Sequence, residues 1–247
     1  MQLERIEANE AHLWYGRPEE ISDPGLLRRL EGLLGEDERT RIGRYRFAKD
    51  RHVGLVTWGL LRCLLSRYAA IAPADWRFRS NPHGRPEIAT PGHAAALRFN
   101  IAHTEGMIVV LVAEGREVGV DVESLPYEGP CLEIAHRYFS NSEVAALRSL
   151  PPSQRSLRFI ELWTLKESFL KALGTGLSIP LDAVSFHLET GPGGAVDASF
   201  ACPLEDNAGR WWFDLDTIGE RHVVSTTVER RRGKGPRLRR RELAAAA

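Results

Sequence analysis

Two short runs carry side chains that could do chemistry together. One is Gly119-Val120-Asp121-Val122-Glu123; the other is Trp163-Thr164-Leu165-Lys166-Glu167-Ser168-Phe169-Leu170-Lys171. The first predicts a strand, on which residues two apart share a face, so Asp121 and Glu123 point one way while Val120 and Val122 turn towards a core. Two adjacent carboxylates repel unless a cation sits between them. Mg²⁺ takes one or two protein carboxylates and completes its octahedron with phosphate oxygens and water. The second run predicts a helix on which Trp163, Glu167 and Lys171, spaced by four, share a broad face with Lys166. Together the runs offer three acidic oxygen ligands and two ammonium groups, a set suited to a Mg²⁺-bound pyrophosphate. Taken singly, each has a plainer explanation: acids at a strand end, or a solvated Glu–Lys pair worth ~0.2–0.5 kcal/mol.

Other cations are scattered. His103 ends the run Phe99-Asn100-Ile101-Ala102-His103-Thr104, just before a Gly turn, and Arg85 sits in the turn Asn81-Pro82-His83-Gly84-Arg85-Pro86. A basic run, Arg39, Arg41, Arg44, Arg46, Lys49 and Arg51, lies further upstream. No GxxxxGK[ST] element is present, so any phosphate cradle here is built from side chains rather than from an ATP-type loop.

The elements that must hold these residues follow from pattern. Helices are expected over Leu26–Leu34, Glu36–Arg46, His52–Tyr68, Leu132–Phe139, a segment capped by Ser140-Asn141-Ser142-Glu143, and Ser153–Leu173 with Gly174 as the stop. Strands are expected at 11–15, 75–78, 97–102, 107–113, 118–122, 184–188, 195–201, 211–215 and 222–228. The continuous apolar run Met107–Ala113 reads as a strand covered on both faces. A short Glu-Gly-Arg-Glu link then makes 107–113 and 118–122 look like a hairpin. The expected class is α/β (α+β). Two pseudo-symmetric halves, 1–116 and 117–229, each form a small, mainly antiparallel sheet packed with helices, and the active site lies between them.

The 247 residues carry 33 bases and 33 acids, but eight of the bases fall between Arg230 and Arg241, where there is no acid. Without those eight, 25 bases face 33 acids, so an acidic body is balanced by a basic end. Residues 230–247 are expected to be a disordered tail. Three distant cysteines without a CxxC pair argue against a disulfide framework or a zinc site and for a reducing compartment. The charged N-terminus and the lack of an apolar run of about 20 residues lead to the expectation of a cytoplasmic protein without a membrane span.

Four segments in this order, NPHGRP, FNIAHT, VGVDVE and LWTLKESFLKALGTGLS, resemble the 4′-phosphopantetheinyl transferases of the monomeric, Sfp-like type. The resemblance runs over about residues 36–190 and implies transfer of the 4′-phosphopantetheine arm of coenzyme A to a serine of an apo acyl or peptidyl carrier protein, releasing adenosine 3′,5′-bisphosphate. By that likeness Asp121, Glu123 and Glu167 would hold Mg²⁺, and Glu167 or a metal-bound water would take the serine proton. Lys171 would neutralise the leaving phosphate. His103 and Arg85 would contact the nucleotide phosphates, with Arg51, Arg44 or Arg41 as cations for the 3′-phosphate and Lys166 as a supporting or docking residue. The sequence departs from the family's usual pattern at Val53 and Gly54, where basic residues are common, and at Ala102, where many members have Ser. The segment Ser124–Phe139, with Leu125, Tyr127 and Leu132, would help dock the carrier. A monomer is expected, with no nucleic acid and no membrane as partner. There are two rivals: another Mg²⁺-dependent phosphohydrolase or nuclease using the same three acids, and a nucleic-acid-binding module led by the Arg-rich end, whose binding would be strongly salt-dependent and would not need the carboxylates.

Overall fold

The computed structural model describes residues 3–90, 92, 96–176, 179–190, 196–202 and 208–243. The chain forms β1 (Glu10–Gly16), α1 (Pro24–Leu33), α2 (Glu36–Gly43), α3 (Ala48–Leu65), β2 (Phe78–Ser80), β3 (Pro86–Ile88), β4 (Leu97–Thr104), β5 (Met107–Glu114) and β6 (Val118–Ser124). There follow α4 (Cys131–Tyr138), α5 (Asn141–Ser149), α6 (Pro152–Leu173), β7 (Ser185–Thr190), β8 (Val196–Ala201), β9 (Trp211–Ile218), β10 (His222–Glu229) and β11 (Arg237–Glu242).

Two sheets form the centre, in the orders β11-β1-β5-β4 and β6-β10-β9. They pack face to face: Leu13, Met107, Val109 and Leu111 of the first meet Val118, Val120, Val122 and Val224 of the second. The outer face of the first sheet (Trp14, Phe99, Val110, Val112) carries α3 through Trp58, Leu61 and Leu65. The outer face of the second carries α6, which joins a separate core with α4, α5 and the β7–β8 pair. The order of layers is therefore α3, sheet, sheet, α6, and each half is one long helix laid on a small sheet, the expected α/β plan.

The halves also share a device. In each, the third residue of a short helix is a glutamate that caps its own helix and takes a buried base from the long one. Glu38 accepts the Gly35 N–H at 2.6 Å and binds Arg62 of α3 through two bonds of 3.0 Å. Glu143 accepts the Ser140 N–H at 2.8 Å and pairs with Lys166 of α6 at 2.7 Å.

Three expectations are corrected. β5 and β6 are not a hairpin: β5 pairs with β1 and β4, β6 with β10, and the link through Gly115 (φ +59°) carries the chain from one sheet to the other. A strand as apolar as β5 needs neighbours on both edges and cover on both faces, and its hairpin partner is β4. The segment 75–78 does not form a strand; a single 3₁₀ turn, Pro73–Asp75, precedes the buried Trp76, and β2 starts at Phe78. The Arg-rich end contains an ordered strand: β11 lies parallel to β1, and three of its four arginines are spent in ion pairs. Arg239 meets Glu10 at 2.8 Å, Arg240 meets Asp214 at 2.5 Å and Asp216 at 3.0 Å, and Arg241 meets Glu4. Acids gathered from β1, β9 and the N-terminal segment thus pair with three of the eight bases that a sequence count reads as a free polycation. Among the described residues no helix is long and apolar enough to cross a membrane.

The second sheet and α6 approach unusually closely at Gly119. A Cβ there would lie 1.9 Å from the Ser168 carbonyl oxygen and 2.4 Å from the Ala172 nitrogen, both backbone atoms that no side-chain rotation can move. Gly119→Ala is expected to destabilise the protein at or beyond the upper end of the roughly 1–3 kcal/mol that overpacking costs. Equilibrium urea unfolding checks this; wild-type stability in the variant would show that the contact is not close.

Candidate active site

Gly119, Asp121 and Glu123 lie on one face of β6, towards α6, while Val118, Val120 and Val122 enter the core between the sheets. The helix is buried almost all round from Phe159 to Leu173; the half-buried exceptions are Trp163, Glu167, Lys171 and Leu173. The first three follow at spacing four and form one open stripe. Ser168, on the buried side, fixes the helix on the sheet: its hydroxyl lies 3.0 Å from Ser225 Oγ and 2.8 Å from Thr227 Oγ1 of β10. Gly174 ends the helix in the left-handed conformation (φ +68°).

With α6 so placed, Lys171 Nζ donates to Asp121 Oδ1 at 2.6 Å. The other oxygen, Asp121 Oδ2, is buried with no hydrogen-bond partner. Burial raises the Asp121 carboxyl above the ordinary range, against the opposing pull of Lys171. Glu123 is pushed up to about 7 by burial and by Asp121, with Glu167 adding and Lys171 opposing. Burial and Asp121 likewise raise Glu167. Three carboxylates and one ammonium thus share a poorly solvated cleft with two negative charges in excess, each carboxylate penalised by burial, and Glu123 and Glu167 also by Asp121. Among the described residues no three His, Cys, Asp or Glu side chains already stand close enough to hold a metal ion. The donor set nonetheless fits a hard divalent cation: all oxygens, one of them buried and unpartnered, and a charge deficit of the matching size.

Beside the stripe is a cavity of about 260 Å³ whose walls include His83, Arg85, Asn100, Glu167, Lys171 and Gly174. Asn100, buried in β4, accepts the Val120 N–H at 2.9 Å and so ties β4 of the first half to β6 of the second. His103, three residues on, remains solvent-accessible. Its pKa is lowered by partial burial and by Lys171, with Asp50 of α3 opposing, so it stands within the field of the Lys171 ammonium.

The chain is similar in sequence to known enzymes. Residues 117–227 match the family model described as the 4'-phosphopantetheinyl transferase superfamily, and residues 25–116 match that described as 4'-phosphopantetheinyl transferase, N-terminal. The 4'-phosphopantetheinyl transferase HetI of Nostoc sp. is 31% identical over 174 residues, 69% of this chain and 71% of its own. A phosphopantetheinyl transferase of Thraustochytrium sp. is 30% identical over 239 residues, 87% of this chain and 78% of its own. The 4'-phosphopantetheinyl transferase Sfp of Bacillus subtilis is 32% identical over 160 residues, 65% of this chain and 69% of its own. The chain belongs to the 4'-phosphopantetheinyl transferase superfamily. It is an enzyme of that class.

Seen as a phosphopantetheinyl transferase, the molecule brings Asp121, Glu123, Glu167 and Lys171 together, with His103 within electrostatic reach. Three sequence-predicted residues stand otherwise. Lys166 is not at the site: it is fully buried on the opposite side of α6, paired with Glu143 at 2.7 Å and donating to the Leu181 oxygen at 2.8 Å and to the Val184 oxygen. Five residues before Lys171, it falls more than 130° away around the helix, and the expected shared face does not reach it. Arg51 is exposed, but its guanidinium holds the α2–α3 connection through the Tyr45 and Arg46 oxygens at 2.8 and 3.1 Å. Arg85 lines the cavity, yet its guanidinium bonds the Ala172 and Val118 oxygens and Glu117. Trp163 is an aromatic contact, packed on Tyr138, Phe139 and Phe159. Sequence reading passed over Gly119, Asn100 and Asn81. Alternation along Leu97–Ala102 sets Asn100 with Arg98 on the polar side, so pattern alone gave no sign that it is buried.

The Lys166 correction is testable. Lys166→Ala strands a buried Glu143 carboxylate and is expected to cost about 3–5 kcal/mol of stability, while Lys166→Met with Glu143→Gln, which removes the charge but keeps an acceptor for the Ser140 and Phe186 N–H groups, recovers part of that loss. Denaturant unfolding measures both. A Lys166→Ala protein that unfolds like wild type but binds the nucleotide substrate poorly would return Lys166 to the site.

Proposed function

We propose that this transferase moves the 4′-phosphopantetheine group of coenzyme A to the hydroxyl of a serine on an apo carrier protein, releasing adenosine 3′,5′-bisphosphate. The observation that carries this reading is the buried cluster in which Lys171 meets Asp121 while Asp121 Oδ2 stays unpartnered beside Glu123 and Glu167. Such a cluster invites a cation and an anionic substrate together. The names of the relatives support the phosphopantetheinyl group as cargo.

In this reading Asp121, Glu123 and Glu167 would hold Mg²⁺. When bound, it would offset the charge of the three acids and of the substrate pyrophosphate. The chain's own residues do the rest. Lys171, anchored by Asp121, presents a fixed ammonium where negative charge grows on the leaving phosphate, and a preoriented charge in a poorly solvated cleft stabilises it without reorganisation. Glu167, on the open stripe of α6 one turn before Lys171, would accept the serine proton as the serine oxygen attacks phosphorus. His103, at the end of β4, faces the nucleotide phosphates from the first half. The cavity between β4, the 81–86 turn and α6 takes part of the coenzyme.

The test is intact-mass analysis of an apo carrier protein incubated with coenzyme A and Mg²⁺. One phosphopantetheine is expected on the serine, and a carrier left unmodified by the wild-type enzyme sinks the proposal. Asp121→Ala and Glu167→Ala are each expected to lower transfer by about 10²–10³-fold while the circular dichroism spectrum stays native. Chelating divalent cations should abolish transfer and added Mg²⁺ restore it. Lys171→Ala is expected to lower kcat more than it raises KM for coenzyme A; a change in KM alone would make it a binding residue.

A further inference from the structure

The turn 81–86 is bolted across the junction of α6 and β6. Asn81 Nδ2 donates to the Gly174 oxygen at 2.8 Å, and Asn81 Oδ1 accepts the N–H groups of His83 and Arg85 at 2.9 and 3.0 Å. Arg85 continues the fastening. Its Nη1 donates to the Ala172 oxygen at 3.0 Å and lies 3.0 Å from Glu117 Oε2, and its Nη2 donates to the Val118 oxygen at 3.2 Å. The side chain is only 9% exposed. Carbonyls at the C-terminus of a helix lack partners within it and carry negative partial charge, so a guanidinium placed on Ala172 and an amide on Gly174 are bonds that the helix end requires. Gly174 must be glycine on two counts: its positive φ, and a Cβ that would come within 2.9 Å of Arg85 Nη1.

The two backbone atoms that Arg85 joins belong to the active-site elements. Ala172 follows Lys171, and Val118 precedes the close contact at Gly119 and then Asp121. The guanidinium therefore spans the end of α6 and the start of β6 and sets how far the helix lies along the strand. That setting governs the 2.6 Å approach of Lys171 to Asp121. A planar fork can hold two carbonyls and a carboxylate at once; an ammonium cannot reproduce that geometry.

Resting on the assignment of Lys171 and Asp121 above, we propose that Arg85 is a positioning residue for transfer, not a contact to the nucleotide phosphates, and that Asn81 shares this role. A phosphate reaching this turn meets a guanidinium already committed to the protein's own oxygens.

Arg85→Ala, Arg85→Lys and Asn81→Ala, compared with wild type, test this with coenzyme A and with its 3′-dephospho form as donors. Calorimetric titration of coenzyme A gives the binding-competent fraction, so that turnover is counted per folded molecule. For Arg85→Ala the expected result is a fall in kcat of about 10–100-fold, the scale of a misplaced catalytic group. KM and Kd for coenzyme A should stay within about threefold, and the preference for coenzyme A over the dephospho form should not change. Arg85→Lys should recover part of the loss, and Asn81→Ala should show a smaller fall of the same kind. If Arg85→Ala does not fold, Arg85→Lys and Asn81→Ala carry the comparison alone. A raised KM with kcat retained, or a loss that falls on coenzyme A and spares the dephospho form, overturns the inference and restores Arg85 as a phosphate contact. A wild-type enzyme that leaves the carrier unmodified overturns the functional reading itself, and this inference with it.

Discussion

The backbone contact between β6 and α6 at Gly119 is the constraint on which the site depends. A strand and a helix normally stand about 10 Å apart with side chains between them; here a glycine lets the helix settle on the strand, its Cβ direction pointing at the Ser168 oxygen. Two further small polar contacts, Ser168 to Ser225 and to Thr227, occupy the interface beside it. With the elements this close, Asp121 and Lys171 meet directly across the gap, and Glu167 and Glu123 come within strong electrostatic range. A bulkier residue at position 119 would separate the charges and weaken every interaction among them, since each falls with distance and with water entry.

The same plan serves both halves, but with different outcomes. Each long helix is pinned by a short one through a glutamate that does two jobs, capping its own helix and neutralising a buried base: Glu38 with Arg62 in the first half, Glu143 with Lys166 in the second. A buried base left unpaired would be strongly destabilising, so each pair specifies where its short helix sits. This frees the opposite side of α6 to carry charged groups that the frame does not use. Lys166 serves the frame and Lys171 the proposed chemistry, although both are lysines of one nine-residue run.

The acids show the electrostatic cost of function. Burial raises Asp121, Glu123 and Glu167, the Asp121 charge raises the other two further, and Lys171 opposes the rise in all three. A protein selected for stability alone would not gather three carboxylates in one cleft. In β11, by contrast, Arg239, Arg240 and Arg241 each meet an acid from β1, β9 or the N-terminal segment, and the result is an edge strand with three of its four arginines paired.

By itself the sequence determined whatever depends on local chemistry. Alternation in VGVDVE placed Asp121 and Glu123 on one face, spacing by four put Glu167 and Lys171 on one stripe, and Ser140 with Glu143 and Gly174 marked helix ends where they occur. The four family motifs, each a short local pattern, carried the transferase class. What only the tertiary structure decided depends on partners far away in the chain. Lys166 and Lys171 look alike in sequence, and it is the Glu143 carboxylate and the Val184 oxygen that bury one of them. The Arg-rich end reads as a solvated tail until Glu4, Glu10 and Asp214 are seen beside it. β5 and β6 read as a hairpin because a short turn joins them, yet β5 needs β1 and β4 on its edges. Arg85 reads as a free cation in a turn, while its actual partners are backbone oxygens more than thirty residues away, which no side-chain pattern reveals.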